Sequence, residues 1–383
     1  MPVTARHTEP MVKAVPKLVL AAWAAALLII AALVVAVVRY LGADGGHAHQ
    51  HGAEAALTRA GEAPSGKLLG SNLLTAWHLD ATALVVIVLL GAWYLTCVGL
   101  AGVRNPGTRW PWTRTLLFFL GLAVIGYATN GAVAVFDQAL FTAHMVGHLL
   151  LVMLAPALLV AGRPLRLALL ASTPSRAARL EAVATGRTVA LLTAPPVALA
   201  AYIVAIVGTH LTGLMDVIMR NNLAGQVEHL VYVLVGVQFF VLIVGDEPIR
   251  WRLATPAKWL LLAVSMAVDT FTGIVLIQGT EPIYLVPTPG VSVNPLSDTQ
   301  TGGAIMWIGG DGIMAAVMIA LVLSWLQRVD TTGADRKGWL EQARRATYAS
   351  HTGAGEPDEA TFDDDDAARE SYNAWLANLD KHR

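Results

Sequence analysis

Hydrophobic positions along this chain gather into blocks of about twenty residues, and most charge falls in the stretches between them. A helix needs about 18 or more uncharged apolar residues in a row to cross a bilayer. Eight blocks approach or meet that length: Leu18–Val38, Ala81–Leu100, Leu116–Phe136, Ala139–Gly162, Thr188–Leu211, Val227–Gly245, Trp259–Gly279 and Ala304–Leu326. They predict an all-α, polytopic membrane bundle of about eight transmembrane helices. The first block follows Lys13 and Lys17, as a signal peptide would, but its apolar run of 21 residues exceeds the usual core of about 7–15 and no clear cleavage site follows. It reads as an uncleaved anchor.

The connections set the orientation. With the N-terminus inside, the inner segments hold 22 of the 26 Lys and Arg residues; the outer ones hold only Arg39, Arg59, Lys67 and Arg220. Positive charge stays on the cytoplasmic side, so both termini are expected there. The chain then divides into an N-terminal segment with its anchor (1–40), an outer linker (41–70), a seven-span core (71–327) and a cytoplasmic acidic tail (328–383). Arg163–Arg187, with basic and acidic positions among Leu and Ala, suits an interfacial helix on the cytoplasmic leaflet or a loop. Thr280–Gly303 carries Pro282, Pro287, Pro289 and Pro295 and reads as an irregular outer loop, a place for a partner to dock. The tail holds Asp363–Asp366 and a short helical pattern around Trp375 and Leu376, a solvated face first and a partner contact second.

Composition agrees and narrows the class. The chain is 55% hydrophobic and 14% charged, against about 25% charged in soluble domains. A net charge of −1 leaves no basic field for nucleic acid. The single cysteine, Cys97, excludes an intrachain disulfide and a thiolate cage, and its place near the inner end of the second block marks a buried apolar residue.

The candidate chemistry lies in the histidines. Of 11, five sit in or beside blocks: His78, His144, His148, His210 and His229. Alternating direction places all five in one outer slab, with His148 deepest, on the order of 13 Å below the start of its block. His144 and His148 are i and i+4 and share one helix face, about 5–6 Å apart at Cβ, a workable spacing for two imidazoles on one metal. Met145, Val146 and Gly147 stand between them, so the base of an HExxH protease is missing. Two buried histidines bonded to carbonyls would show the same pattern; three more at the same depth favour a metal.

Met145, Met215, Met219, Met306 and Met314 are on the same side, and thioether with imidazole points to Cu(I), although zinc fits the ligand types and most such methionines fill core gaps. Asp269 and Asp311 lie within blocks and must face the bundle interior. They stand open between orienting a histidine, relaying protons, and bonding to Asn130 or Thr270. Glu228, beside His229, takes a different helix face and reads equally as an interfacial residue or a ligand. His47, His49 and His51 alternate in the outer linker, where they can capture metal loosely or be plain solvated residues.

Three motifs carry a resemblance. Phe141-Thr-Ala-His-Met-Val-Gly-His-Leu-Leu-Leu-Val-Met-Leu-Ala-Pro156 followed by Gly162-Arg-Pro164, Trp77-His78-Leu-Asp80, and Gly302-Gly-Ala-Ile-Met-Trp307 are similar to the signatures of the multi-span CtaG family of cytochrome c oxidase assembly factors. The resemblance spans Ser71 to Leu326. It implies a seven-span core in a bacterial cell membrane that helps supply copper to the oxidase metal centre. Motif position carries over His78, His144 and His148, with Met306 and Trp307 matched by context; His210 and His229 rest on topology alone. The first block, the histidine linker and the tail are additions to that core.

The expected activity is copper handling, not catalysis. An extracytoplasmic donor would supply Cu(I), and apo-cytochrome c oxidase or one of its subunits would receive it. Two rivals remain: a membrane electron carrier with histidine-ligated haem, and a metal or proton transporter lined by Asp269, Asp311 and the histidines. The apolar inner halves of the fourth and sixth blocks argue against a through-path.

Overall fold

The computed structural model describes residues 72–137, 139–244, 247–283 and 293–352, the stretch beyond Leu326 by its backbone alone. The first block, the linker histidines His47, His49 and His51, the acidic tail motif and the middle of the outer loop lie outside the described residues. Helix is the only regular structure among those described. After a single helical turn at Asn72–Thr75, the helices are α1 (Ala81–Arg104), α2 (Trp112–Asn130), α3 (Ala132–Phe136), α4 (Phe141–His148), α5 (Ala155–Ala161), α6 (Pro164–Ala171), α7 (Pro174–Ala184), α8 (Arg187–Leu192), α9 (Pro195–His210), α10 (Leu214–Arg220), α11 (Asn222–Ile243), α12 (Thr255–Gln278) and α13 (Pro295–Thr352). A wide π-helical turn, Leu149–Leu154, joins α4 to α5.

Six apolar stretches are long enough to cross a bilayer: Ala81–Arg104, Trp112–Phe136, Phe141–Ala171, Leu223–Ile243, Thr255–Gln278 and Pro295–Leu326. They mark the chain as a multi-pass membrane protein. The fifth block departs from expectation. Thr188–Leu211 is broken after Leu192, and Pro195 and Pro196 open the 16-residue α9. Prolines supply no backbone donor and are favoured in the first helical turn, so the chain restarts a helix there instead of continuing one. At about 1.5 Å per residue, α9 alone is some 24 Å long, short of a bilayer's roughly 30 Å core.

Other differences are local. The third block begins at Trp112 and breaks at Gly131. Arg163–Arg187 is helical, as α6 and α7. The outer loop ends sooner than its prolines imply: Pro295 begins α13, and the Asn294 side chain accepts from the N–H groups of Leu296 (3.0 Å) and Ser297 (3.3 Å). Asn at an N-cap followed by proline is a strong start signal. The last part of α13, from Ile319 on, belongs to a separate compact unit.

At the end of the bundle away from His144 and His148, the Tyr94 hydroxyl donates to the Gly162 carbonyl at 2.8 Å, and Trp110 Nε1 donates to that hydroxyl at 3.1 Å. Tyr94 stacks on Phe118 with centroids 4.1 Å apart. Cys97 is buried in this cluster, as a small apolar residue should be. Arg163, between α5 and Pro164, takes a left-handed φ of 52° at the turn between the two helices. The turn sends the chain into α6, whose first N–H groups, Leu165 and Arg166, donate to the Glu247 carboxylate at 3.2 and 2.8 Å. Burial pushes the Glu247 carboxyl above its ordinary pKa, while those N–H groups and the charges of Arg163 and Arg166 pull it back.

Candidate metal centre

Three elements converge on one polar cluster. The first is α4, whose N-terminus lacks a local side-chain cap. Asp298, in the first turn of α13, serves instead: its carboxylate accepts from Phe141 N (2.6 Å), Thr142 N (3.2 Å) and the Thr142 hydroxyl (2.5 Å). A carboxylate at the positive end of a helix is favourable, and here it also ties α4 to α13. Gly302, one turn on from Asp298, permits that approach; a Cβ there would sit 2.5 Å from the Phe141 ring and 3.0 Å from Met145 Cγ.

The π turn follows directly after His148. Pro156 has no N–H for the Val152 carbonyl, and its ring would clash with that carbonyl in a regular helix. The helix widens instead, with Ala155 N–H donating five residues back to Leu150. Such insertions recur at functional sites. Gly236 of α11 packs on the widened turn, where a Cβ would collide with the Val152 carbonyl and Pro156. This close approach presses α11 against the histidine helix. The third element, α9, ends at His210.

The side chains that meet are His144, His148 and Glu228, each buried, with one ligand atom from each lying within 4.8 Å of the others. Glu228 Oε1 is 3.3 Å from His148 Nε2, and Oε2 is 3.7 Å from His144 Nε2. The rings of His144 and His148 have centroids 4.0 Å apart, and His210 stands edge-on to His148 at 4.8 Å.

Hydrogen bonds fix which nitrogens are available. Asp137 Oδ1 lies 2.8 Å from His144 Nδ1; an ionised carboxylate can only accept, so Nδ1 donates to it and Nε2 is the nitrogen left to face an ion. Likewise His210 Nδ1 donates to the Ile206 carbonyl at 2.7 Å. Its ring is braced by Thr209, whose hydroxyl meets the Tyr232 hydroxyl at 2.6 Å. An imidazole held at Nδ1 and bare at Nε2 is the usual arrangement of a metal-ligating histidine.

The bare atoms test whether a metal fits. His144 Nε2, His148 Nδ1 and Nε2, His210 Nε2 and both Glu228 oxygens are buried without a hydrogen-bond partner. Leaving a polar atom so costs about 1–3 kcal/mol, more for a charged group, and buried unsatisfied groups need a physical reason. Nitrogens from His144 and His148 and a carboxylate from Glu228, mutually adjacent, with the His210 ring beside His148, suit a first-row transition ion. The residues fit the group.

The profile of the cytochrome c oxidase caa3 assembly factor family (Caa3_CtaG) matches residues 92–328, well over half of the chain. The chain belongs to that family. It is also 26% identical, over 324 residues, to uncharacterized proteins of Mycobacterium bovis and Mycobacterium tuberculosis, and 27% identical over 323 residues to one of Mycobacterium leprae. Each alignment covers 82% of this chain and 46% of the relative, so the chain spans about half the length of the curated relatives it matches. No solved structure matches it.

In this Caa3_CtaG member the five membrane histidines separate into two groups. His144, His148 and His210 come together, and His78 and His229 do not join the convergent set. The backbone N–H of His78 donates to the Asn130 carbonyl at 2.7 Å, while His229 Nε2 sits 3.9 Å from Asp137 Oδ2. Glu228 is no interfacial residue; it is buried and faces both paired histidines. Seen as a turn of α11, it shares its face with Tyr232, four residues on and fully buried.

Asp269 and Asp311 do not orient a histidine. Tyr202 donates to Asp269 at 2.9 Å, and Thr270 donates to Asp311 at 2.9 Å, the latter one of the expected partners; Asn130 instead accepts from Asp80 N–H. Asp137 orients His144 instead, and sequence reasoning missed it because it lies between blocks. Met145 packs towards Gly302 of α13, and Met215, Met306 and Met314 are buried.

Proposed function

We propose that this chain binds copper at the outer side of a bacterial cell membrane and passes it to cytochrome c oxidase, or an oxidase subunit, during assembly. It acts as a carrier, not a catalyst. His144, His148 and His210 hold the ion through imidazole nitrogens, with Glu228 as the fourth donor and Asp137 fixing His144. The single observation that carries this reading is the set of buried ligand atoms of His144, His148 and Glu228 that have no hydrogen-bond partner and lie side by side, with the His210 ring edge-on to His148. Membership of an oxidase assembly factor family supports the choice of acceptor. Charge asymmetry supports the orientation, with both termini cytoplasmic.

Copper leads because imidazole suits it in either oxidation state, and a site of mixed nitrogen and oxygen donors releases Cu(I) to a softer acceptor more readily than a thioether cage would. His47, His49 and His51 would take copper first from an extracytoplasmic donor. The haem alternative fits less well, since the rings of His144, His148, His210 and Tyr232 pack with centroids 4.0–4.8 Å apart and leave no slot for a macrocycle between them.

The test is metal content of the purified full chain after anaerobic Cu(I) loading, with an absorption spectrum. The comparison is between two proteins that both carry His47, His49 and His51 as alanine, one of them also His144→Ala/His148→Ala. About one copper per chain is expected in the first and none in the second. Equal copper in both, or a Soret band, would overturn the reading.

A further inference from the structure

The ligand atoms of the cluster are sealed. Side-chain exposure is 1% at His144, 4% at His148 and 3% at Glu228. An ion that reaches them must first meet something more open. Two groups in direct register with the cluster are more open: Asp137 at 14% and His229 at 19%.

Their geometry is that of a second, shallower station. Asp137 divides its carboxylate. Oδ1 lies 2.8 Å from His144 Nδ1, and Oδ2 faces His229 Nε2 at 3.9 Å. His229 is the next residue after Glu228, so one turn of α11 presents a donor to each station. Exposure falls from His229 through Asp137 to His144. A separation of 3.9 Å between a carboxylate oxygen and an imidazole nitrogen is too long for a hydrogen bond. It is a few tenths of an ångström wider than the roughly 3.3–3.6 Å between two tetrahedral donors about 2.0–2.2 Å from one shared ion, a gap that a small turn of the more open His229 ring would close.

We infer that Asp137 and His229 form an access site, where a first-row divalent or cuprous ion is held by one carboxylate oxygen and one imidazole nitrogen before it passes to His144, His148 and Glu228. This rests on the proposed metal centre. Two protein donors leave coordination positions for water, so the access site binds weakly and exchanges fast. The buried cluster offers more donors and binds tightly, so ions move inward. The shared Asp137 couples the two stations without a moving segment.

The experiment separates loading rate from loading extent. Full-length protein in nanodiscs, with His47, His49 and His51 changed to alanine, is mixed with Co²⁺ in a stopped-flow instrument. The growth of its d–d absorption reports occupancy of the buried site. His229→Ala is expected to reach the same final amplitude with an observed rate at least tenfold lower, and His229→Gln to behave alike; unchanged helical circular dichroism checks the fold. An unchanged rate would overturn the access site. So would a lost final amplitude, which would make His229 a ligand of the buried centre. Failure of the metal centre itself reads differently, because then the parent shows no Co²⁺ band either.

Discussion

Two buried glutamates on either side of the α11 helix do opposite things with the same functional group. Glu247, beyond its C-terminal end, accepts backbone N–H groups from Leu165 and Arg166 and closes the start of α6. Glu228, near its N-terminal end, is equally buried, yet neither of its oxygens has a hydrogen bond, and what it faces are two imidazoles. Burial alone would class them together. What separates them is whether the carboxylate's lone pairs are used. A satisfied carboxylate stabilises the fold; an unsatisfied one facing two imidazoles whose Nε2 atoms are also unpaired is what the proposed metal role requires.

The comparison can be broken by substitution. Glu228→Gln should have the largest effect on metal: affinity for copper, read by competition with a chromophoric chelator, should fall by more than about 100-fold, the upper end for loss of a mere outer partner. Apo stability should hold or rise, because the amide keeps the shape of the side chain and can share hydrogen bonds with the imidazoles where the carboxylate oxygens have none. Loss of apo stability with intact copper binding would invert the assignment. Asp137→Asn should weaken copper by roughly 10–100-fold through the His144 ring, with occupancy restored at higher copper.

Glu247→Ala should leave metal affinity unchanged and lower stability by about 1–3 kcal/mol, the cost of stranding buried donors, visible as a lower denaturation midpoint in detergent. A copper defect here would mean the two ends of α11 are energetically linked. Asp298→Asn should have the smallest effect. Asparagine still offers one carbonyl oxygen to the start of α4, so a loss of about 0.3–1 kcal/mol in stability is expected from the missing charge, together with a slight weakening of copper.

Much of the architecture was legible from composition alone. Blocks such as Ala81–Leu100 and Trp259–Gly279 reappear with ends shifted by a few residues, because a membrane span must satisfy its backbone internally and stay apolar for its whole length. The common depth of His144, His148 and His210 was legible too, since it follows from chain direction and helical rise. Partners across the bundle were not. Glu228 and Asp137 meet the histidines through packing between helices, and periodicity within one helix says nothing about rotation of its neighbour. The break in the fifth block was written in Pro195 and Pro196, but hydropathy counts proline only mildly and runs over it. The wide turn after His148 was likewise written in Pro156, but the close approach of Gly236 to it from another helix was not.

The cap on α4 also has a consequence in time. Asp298 closes the N-terminus of the histidine helix from 157 residues further along the chain. At a synthesis rate of about 5–20 residues per second, those residues take on the order of 8 to 30 seconds to emerge. For that interval the helix bearing His144 and His148 is already made, while its cap, and before it His210 and Glu228, are not. The donor residues are therefore complete once Glu228 emerges, while the tie that fixes the histidine helix against α13 is added last.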